Sequence, residues 1–146
     1  MNARLILAAA LSLFIVGCAS VPMGNEARDA QLKTFAAVPK DKAGLYIYRN
    51  ERMGGKIKMD VELNGQPIGQ TQSFTYLYKE VAPGKHTVTS KSENTDTLTI
   101  DAKPGMQYYV WQESKMGVLY ARSKLHLVPE ATGKAGVAEC YLAETR

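Results

Sequence analysis

The stretch that decides the fold is IKMDVELNGQPIGQT, residues 57–71. Its first half alternates apolar residues at 57, 59, 61 and 63 with charged residues at 58, 60 and 62, which is the period of a strand with one buried face. Asn64 and Gly65 then supply the residue types of a two-residue type I′ turn, because both central positions of that turn need a positive φ. The stretch therefore predicts a β-hairpin with strands at 56–63 and 66–71.

The alternation continues from this hairpin in both directions. Turn signals recur at 54–55, 83–84, 93–94, 104–105 and 116–117. They separate further predicted strands at 44–50, 74–81, 85–91, 96–102, 106–114 and 118–127. No helical pattern of about 10 to 15 residues alternates with these strands, which excludes a parallel α/β sheet. Seven or eight short strands therefore predict an all-β protein, an antiparallel β-sandwich or a partly open barrel.

The residues after these strands leave a short C-terminal helix open. Pro129 suits the first position of a helix, and Glu130 follows it. Gly133 and Gly136 weaken that interpretation, because glycine disfavours a helix interior.

The first eighteen residues have the layout of an export signal. Arg4 gives a positive start, residues 5–16 form an apolar run broken only by Ser12, and Gly17 precedes Cys18. Twelve helical residues span about 18 Å, well short of the roughly 30 Å hydrocarbon core of a bilayer. We therefore predict a signal peptide over residues 1–17 rather than a permanent membrane span.

The quartet at residues 15–18, IVGC, resembles the lipobox of bacterial lipoproteins. That resemblance implies cleavage before Cys18 and acylation of this cysteine, and two or more acyl chains anchor a protein stably. Ala19 stands where an Asp would resemble an inner-membrane retention signal. We therefore expect an outer-membrane lipoprotein that faces the periplasm, with the membrane as a partner through Cys18. The alternative is an ordinary secretory signal in which the cysteine is incidental.

Residues 18–41 predict a lipidated cysteine and a flexible tether, ahead of a β-sandwich domain over residues 42–146. Asn25 is a suitable cap for a short helix, but a helix of fewer than about 12 residues is marginal in water. The chain carries 18 Lys and Arg against 14 Asp and Glu. In an exported protein this excess favours solubility and weak attraction to anionic lipid or wall polymers, and we expect no nucleic-acid partner.

Six segments carry a resemblance to one family. They are residues 45–49, 61–69, 81–88, 98–100, 105–110 and 127–128, which read LYIYR, VELNGQPIG, VAPGKHTV, LTI, GMQYYV and LV. In this order and spacing the chain resembles the bacterial lipoprotein family catalogued as domain of unknown function 2846, from residue 43 to the C-terminus. The middle segment is also similar to PEGA-type β-domains. The resemblance implies a transthyretin-like or immunoglobulin-like sandwich on a lipid anchor, and it transfers no catalytic residue.

The candidate partner-binding residues combine cations, one methionine and aromatic side chains. They are Arg49, Arg52, Met53, Lys56, Lys58, Tyr76 and Tyr78. The cations surround a predicted loop whose Gly54 and Gly55 make it flexible, and tyrosines beside cations suit sugars or an anionic glycan. The alternative for the tyrosines is an ordinary half-buried strand, because Tyr favours β structure. We predict that the loop contacts an anionic envelope component or an envelope protein.

The histidines and acidic residues predict no catalytic or metal site, and no cofactor is expected. We expect His86 to bond the turn before it and His126 to be exposed. Asp60 and Glu62 share a strand face, about 6.5–7 Å apart, which fits a solvated mixed-charge surface better than a glycosidase pair.

Cys140 becomes the single thiol once Cys18 is acylated. Its apolar neighbours Tyr141 and Leu142 favour a buried, unreactive side chain. The sequence therefore favours a non-enzymatic binding or structural module of the cell envelope. The alternative is a small periplasmic enzyme or redox protein that uses Cys140 or the acidic pair.

Overall fold

The computed structural model describes residues 20–146, in which two β-sheets pack face to face and two short helices cover the outer face of one sheet. The predicted signal peptide and Cys18 lie outside the described residues. The elements in chain order are α1 (Glu26–Leu32), β1 (Ala43–Arg49), β2 (Met59–Leu63), β3 (Gln66–Thr71), β4 (Thr75–Val81), β5 (Gly84–Lys91), β6 (Thr95–Ala102), β7 (Gln107–Met116), β8 (Ala121–Val128), α2 (Glu130–Ala138) and β9 (Tyr141–Leu142).

The two sheets have five and four strands. The five-stranded sheet has the order β8-β7-β1-β4-β9 and the four-stranded sheet the order β3-β2-β5-β6. Most pairs are antiparallel, but β1 runs parallel to β7 and β4 runs parallel to β9. The predicted all-β sandwich is therefore confirmed, with two parallel pairings that alternation along the chain does not indicate. The C-terminal helix that the sequence left open is present as α2.

The main core lies between the sheets. Its buried aliphatic side chains include Leu45, Ile47, Val61, Val88 and Val110. All seven residues of β1 are buried, because this central strand faces the four-stranded sheet on one side and the helices on the other.

A second cluster, here called the tyrosine layer, lies between the five-stranded sheet and the helices. It consists of Leu32, Tyr46, Tyr48, Tyr76, Tyr109, Val137, Cys140 and Leu142. The Tyr46 ring stacks on Tyr109 with ring centres 5.1 Å apart, and it lies 4.7 Å from the ring of Tyr78. The layer explains why α2 carries two glycines, since a Cβ at Gly133 or Gly136 would overlap a tyrosine ring or its Cβ.

The segment predicted as a flexible tether differs from the structure over residues 20–41. Asn25 caps α1, and its Oδ1 accepts a hydrogen bond of 3.0 Å from the Arg28 backbone N–H. Val21 and Leu32 are buried against the sandwich. A seven-residue helix is unstable alone, but here the cover it gives to the tyrosine layer stabilises it.

The hairpin at 64–65 is confirmed, because Asn64 and Gly65 have φ values of 52° and 79°. Most strand boundaries lie within two residues of prediction, but two strand starts differ by three, since β2 begins at Met59 rather than 56 and β8 begins at Ala121 rather than 118. Both of these differences lie at one end of the sandwich, here called the hairpin end after its β5–β6 and β7–β8 hairpins. It carries the loops at 50–58, 72–74, 92–94 and 117–120, and the opposite end carries those at 64–65, 82–83 and 103–106.

No helix among residues 20–146 is long and apolar enough to cross a membrane.

Candidate functional site

Arg49, the first residue of the predicted binding surface, lies inside the protein. It is 0% exposed, and its Nη1 donates to the carbonyl oxygens of Ile57 (2.7 Å) and Thr71 (3.1 Å) while Nη2 donates to that of Gly54 (3.2 Å). Burial lowers the pKa of its guanidinium to about 10, against an opposing effect of Glu51. The prediction that Arg49 contacts a partner is wrong, because backbone carbonyls of the β1–β2 and β3–β4 regions surround it. It supports the β1–β2 loop from beneath.

A chain of buried polar side chains continues from this arginine and joins the two sheets. Thr71 Oγ1 donates to Gln112 Oε1 (2.6 Å), and Gln112 Nε2 donates to Ser90 Oγ (2.6 Å). Ser90 Oγ in turn lies 2.7 Å from Ser123 Oγ. Hydrogen-bonded networks in a low-dielectric interior favour one arrangement, so the loops of the hairpin end stand on a fixed base.

The other predicted loop residues lie on the surface. Arg52 and Lys56 are exposed, Met53 is 52% exposed, and Lys58 is half-buried just before β2. Across residues 20–146, none of these three cations has an ion-pair partner. The loop therefore presents uncompensated positive charge together with one apolar side chain.

The predicted tyrosine platform is covered rather than open. Tyr76 is 0% exposed, and its Oη donates to Asp29 of α1 (2.6 Å). Tyr78 is half-buried, with the Arg28 guanidinium 5.5 Å from its ring centre. Burial raises the pKa of both phenols. The prediction that Tyr76 contacts a partner is wrong, because the segment interpreted as a tether folds over it.

Sequence reasoning missed a more exposed apolar feature at the same end, here called the apolar tip. It comprises Met116, Val118, Leu119 and Tyr120, which are 82%, 89%, 82% and 51% exposed. The predicted strand at 118–127 treated residues 118–120 as strand residues. The detectable signal was Val-Leu-Tyr directly after the Met116-Gly117 turn, where no polar residue alternates with the apolar ones.

The backbone of the apolar tip is held by one carboxylate. Glu93 Oε1 accepts a hydrogen bond from the Val118 N–H (2.9 Å), and Oε2 accepts from the N–H groups of Leu119 and Tyr120 (both 3.1 Å). These backbone hydrogen bonds, that of Tyr120 foremost, lower the pKa of the Glu93 carboxyl. A Cβ at Gly117 would overlap this carboxylate, so a larger residue there would displace Glu93 from its present position. The tip therefore has a defined backbone, with its side chains left outside.

The apolar tip and the β1–β2 loop form one surface, here called the hairpin-end surface. A Cβ built on Gly54 would lie 3.6 Å from Ala121 Cβ, so the loop packs directly against the base of the tip. The Ser114 N–H also donates to Glu51 Oε1 (2.8 Å). The surface consists of the apolar tip with Met53, Arg52, Lys56, Lys115 and Arg122, all of them exposed.

The two histidines have structural partners. His86 Nε2 lies 2.6 Å from the carbonyl oxygen of Ala82, so the predicted bond to the preceding turn is confirmed. His126, expected to be exposed, is half-buried, because it stacks on Trp111 of the neighbouring strand with ring centres 5.0 Å apart. Its Nε2 lies 2.7 Å from Glu113 Oε2, and this hydrogen bond lowers the pKa of the Glu113 carboxyl.

Cys140 is buried, as its apolar neighbours predicted. Its Sγ lies 3.3 Å from the carbonyl oxygens of both Arg49 and Gly136. Burial, with a contribution from Glu139, raises the pKa of the thiol to about 12. The side chain is therefore a protonated thiol at neutral pH.

The acidic pair makes ordinary surface contacts. Asp60 accepts a hydrogen bond from Gln70 Nε2 (2.8 Å), and Glu62 forms an ion pair with Lys91 (2.6 Å). In the portion of the chain that the structure describes, no three His, Cys, Asp or Glu side chains are grouped to hold a metal ion.

Comparison with known proteins places these features within a family. The family model described as "Protein of unknown function (DUF2846)" matches residues 39–123, a range that includes the β1–β2 loop, Glu93 and the apolar tip. A similar protein is an "Uncharacterized protein" of Haemophilus influenzae, 31% identical over 135 residues that cover 91% of this chain and 80% of the relative. No solved structure matches the chain.

Proposed function

We propose, from the premise that this chain belongs to the DUF2846 family, that it is a lipid-anchored lipoprotein of the bacterial cell envelope which binds a partner without catalysing a reaction. The family description names no activity, so the residues of this chain carry the proposal. The observation on which it depends most is the apolar tip, held rigid by Glu93 beside an unpaired cationic loop. Contiguous exposed apolar side chains on a soluble domain mark binding surfaces.

The lipid anchor is proposed from the first eighteen residues and fits the position of Val21 in the fold. The Val21 backbone N–H donates to Gln72 Oε1 (3.3 Å), and Gln72 lies in the β3–β4 loop of the hairpin end. Cys18 precedes Val21 by three residues, which reach about 11 Å at most. An acylated Cys18 would therefore hold the sandwich close to the outer membrane by its hairpin end.

The ionisable groups support a binding role over an enzymatic one. The carboxyl groups with a shifted pKa, those of Glu93, Asp101 and Glu113, all have it lowered by hydrogen bonds from partners within the chain. A carboxyl group that donates a proton during catalysis at neutral pH needs the opposite shift. The Cys140 thiol, whose pKa is raised to about 12, stays protonated at neutral pH. It is therefore a poor nucleophile, because the thiolate is the reactive form.

The anchor is tested by labelling cells with palmitate. We expect label in the wild-type chain and none in Cys18→Ser, because Cys18 is the proposed site of acylation. Cys140→Ser is the matched control and should keep the label. Equal incorporation into wild type and Cys18→Ser would overturn the anchor.

The binding surface is tested by a photoreactive amino acid placed in the full chain in living cells. At Leu119 in the apolar tip we expect a crosslinked product, because this side chain is free to touch a partner. Met106, which is 53% exposed at the opposite end, is the matched control position. Equal products at the two positions, or product only at Met106, would overturn the assignment of the surface.

A further inference from the structure

We infer that the ligand of the hairpin-end surface is the anionic lipid of the leaflet that holds the acyl chains, so that the sandwich stands on its hairpin end against the membrane. The inference rests on the proposed anchor at Cys18 and deepens the proposed binding function by naming the partner.

The first argument is the place of the surface relative to the anchor. The apolar tip and Val21 both lie at the hairpin end, whereas Met106 lies at the opposite end, about 30 Å away along the ten residues of β7. A link of three residues is about a third of that length. The anchor therefore brings the hairpin end, which carries the apolar tip at its β7–β8 edge, closer to the lipid surface than the opposite end.

The second argument is the chemistry of the side chains. Val118 and Leu119 are the apolar residues at the far point of the loop, and Tyr120 combines an apolar ring with a polar hydroxyl, which suits the membrane interface. Arg52 and Lys56 belong to the loop that packs against the base of the tip, Arg122 follows the tip in sequence, and none of the three has an ion-pair partner among residues 20–146. Buried apolar area together with attraction to anionic headgroups is how peripheral proteins bind a bilayer.

The third argument concerns the backbone of the apolar tip. Unpaired N–H groups are costly in an apolar medium, so satisfied backbone donors favour the insertion of a loop into lipid. Glu93 already accepts from the N–H groups of Val118, Leu119 and Tyr120. The tip can therefore insert its side chains without exposing these donors to lipid.

The experiment places a dye on the tip of the full acylated chain reconstituted into vesicles. A polarity-sensitive dye on Val118→Cys reports the tip, and the same dye on Met106→Cys is the matched control. Acylation occupies Cys18 and burial protects Cys140, so the added cysteine takes the label. In vesicles containing phosphatidylglycerol we expect blue-shifted emission and quenching by nitroxide lipids at 118 only. Equal emission and quenching at the two positions would overturn the inference.

The charge contribution is tested with the Cys18→Ser chain, exported through an ordinary secretory leader and added to vesicles from outside. Reversing Arg52→Glu and Lys56→Glu together should weaken binding to phosphatidylglycerol vesicles at least about tenfold and remove most of its salt dependence. Lys85→Glu with Lys103→Glu, two exposed cations of the opposite end, is the control and should bind like the parent. Binding that ignores both reversals, or is equal on phosphatidylcholine vesicles, would overturn the anionic-lipid assignment.

These outcomes separate the inference from the proposal beneath it. Palmitate label lost in Cys18→Ser together with a water-exposed dye at 118 would leave the anchor standing and overturn the lipid contact. Label retained in Cys18→Ser would overturn the anchor. A third outcome combines the two experiments: a protein is crosslinked to Leu119 in cells, and the dye at 118 stays in water in vesicles. This result would assign the surface to a protein partner and overturn the lipid as its ligand.

Discussion

The tyrosine layer and the apolar tip are built from similar side chains but have opposite surroundings. Tyr46, at the centre of the layer, is 1% exposed, whereas Tyr120, in the tip, is 51% exposed. In the layer the polar ends of the side chains are satisfied, since Tyr46 Oη donates to the Leu32 carbonyl oxygen (2.8 Å) and Tyr76 Oη to Asp29 (2.6 Å). In the tip it is the backbone that is satisfied, by Glu93, and each side chain is at least half exposed.

This difference shows how one chain makes aromatic residues serve two purposes. Where distant segments such as α1 and α2 cover a sheet face, tyrosines stabilise the fold. Where a carboxylate fixes only the backbone of a loop, the side chains remain available for contact outside the molecule. The predictions below test this contrast, beginning with the layer, where the largest effects are expected.

Raising the pH should unfold the protein through the tyrosine layer. Burial raises the pKa of Tyr48 and Tyr109 to about 12 from 10.0, and that of Cys140 to about 12 from 9.0. Between these values the unfolded chain has lost protons that the folded chain keeps, so stability is complete below about pH 9 and falls as the pH rises toward 12. Arg49, whose pKa is lowered to about 10, opposes this trend as a single group.

The measurement is urea unfolding at a series of pH values, together with phenolate absorbance. We expect the urea midpoint to fall steadily above about pH 9, and phenolate to appear in the layer only as the chain unfolds. A midpoint that stays constant to about pH 11 would show that the layer is open to solvent.

Truncating one tyrosine in each region should separate the two roles. Tyr46→Ala removes a fully buried ring from the layer, and we expect it to lower the free energy of unfolding by about 3–5 kcal/mol. Tyr120→Ala, the matched change in the tip, should alter it by no more than about 0.5 kcal/mol. Chemical denaturation of both variants measures the contrast, and equal losses would contradict it.

Gly136→Ala tests how closely α2 approaches the tyrosine layer. In an exposed helix this change is stabilising, but here the added Cβ overlaps the Tyr48 ring, and we expect a loss of about 1–3 kcal/mol. Ala135→Gly, on the exposed face of the same helix, is the control and should cost about 1 kcal/mol or less. A Gly136→Ala variant more stable than wild type would mean that the helix stands away from the sheet.

Glu93→Gln should loosen the apolar tip without unfolding the sandwich. An amide offers one acceptor oxygen in place of two, so the N–H groups of Val118, Leu119 and Tyr120 should exchange hydrogen faster while the thermal midpoint stays near that of wild type. Acid should act in the same direction, because the Glu93 pKa is lowered and its hydrogen bonds are lost as the pH falls through it. Unchanged exchange in Glu93→Gln, with Glu62→Gln as control, would refute the role of the carboxylate.

The parts of the fold that depend only on residues close together in the chain can be predicted from the sequence. The strand predicted at 66–71 is β3, Gln66–Thr71, and the positive φ values of Asn64 and Gly65 follow from their residue types. The parallel pairing of β1 with β7 is different, because alternation within each strand carries no information about its partner. The sequence predicts a tether over residues 18–41 for a related reason, since a short helix is stable only on the surface that it covers.

The candidate site shows the same limit. The charge of the β1–β2 loop could be read from Arg52, Lys56 and Lys58, but the burial of Arg49 depends on carbonyl groups that include that of Thr71, far along the chain. The apolar tip was missed because three apolar residues next to a turn fit a buried strand end as well as an exposed loop. Only the position of Glu93, on another hairpin, distinguishes the two.

The pairing of the five-stranded sheet has a consequence for how the molecule is made. Tyr46 pairs with Tyr109, Met23 bridges to Ala143, and β4 receives its edge partner β9 from residues 141–142. A polypeptide that emerges from a ribosome or a translocation pore amino terminus first cannot complete this sheet until residues 141–143 are free. Such distant pairings also fold slowly. The sheet is therefore incomplete before residues 141–143 are available, and deletion of residues 141–146 would leave Met23 and β4 without these partners.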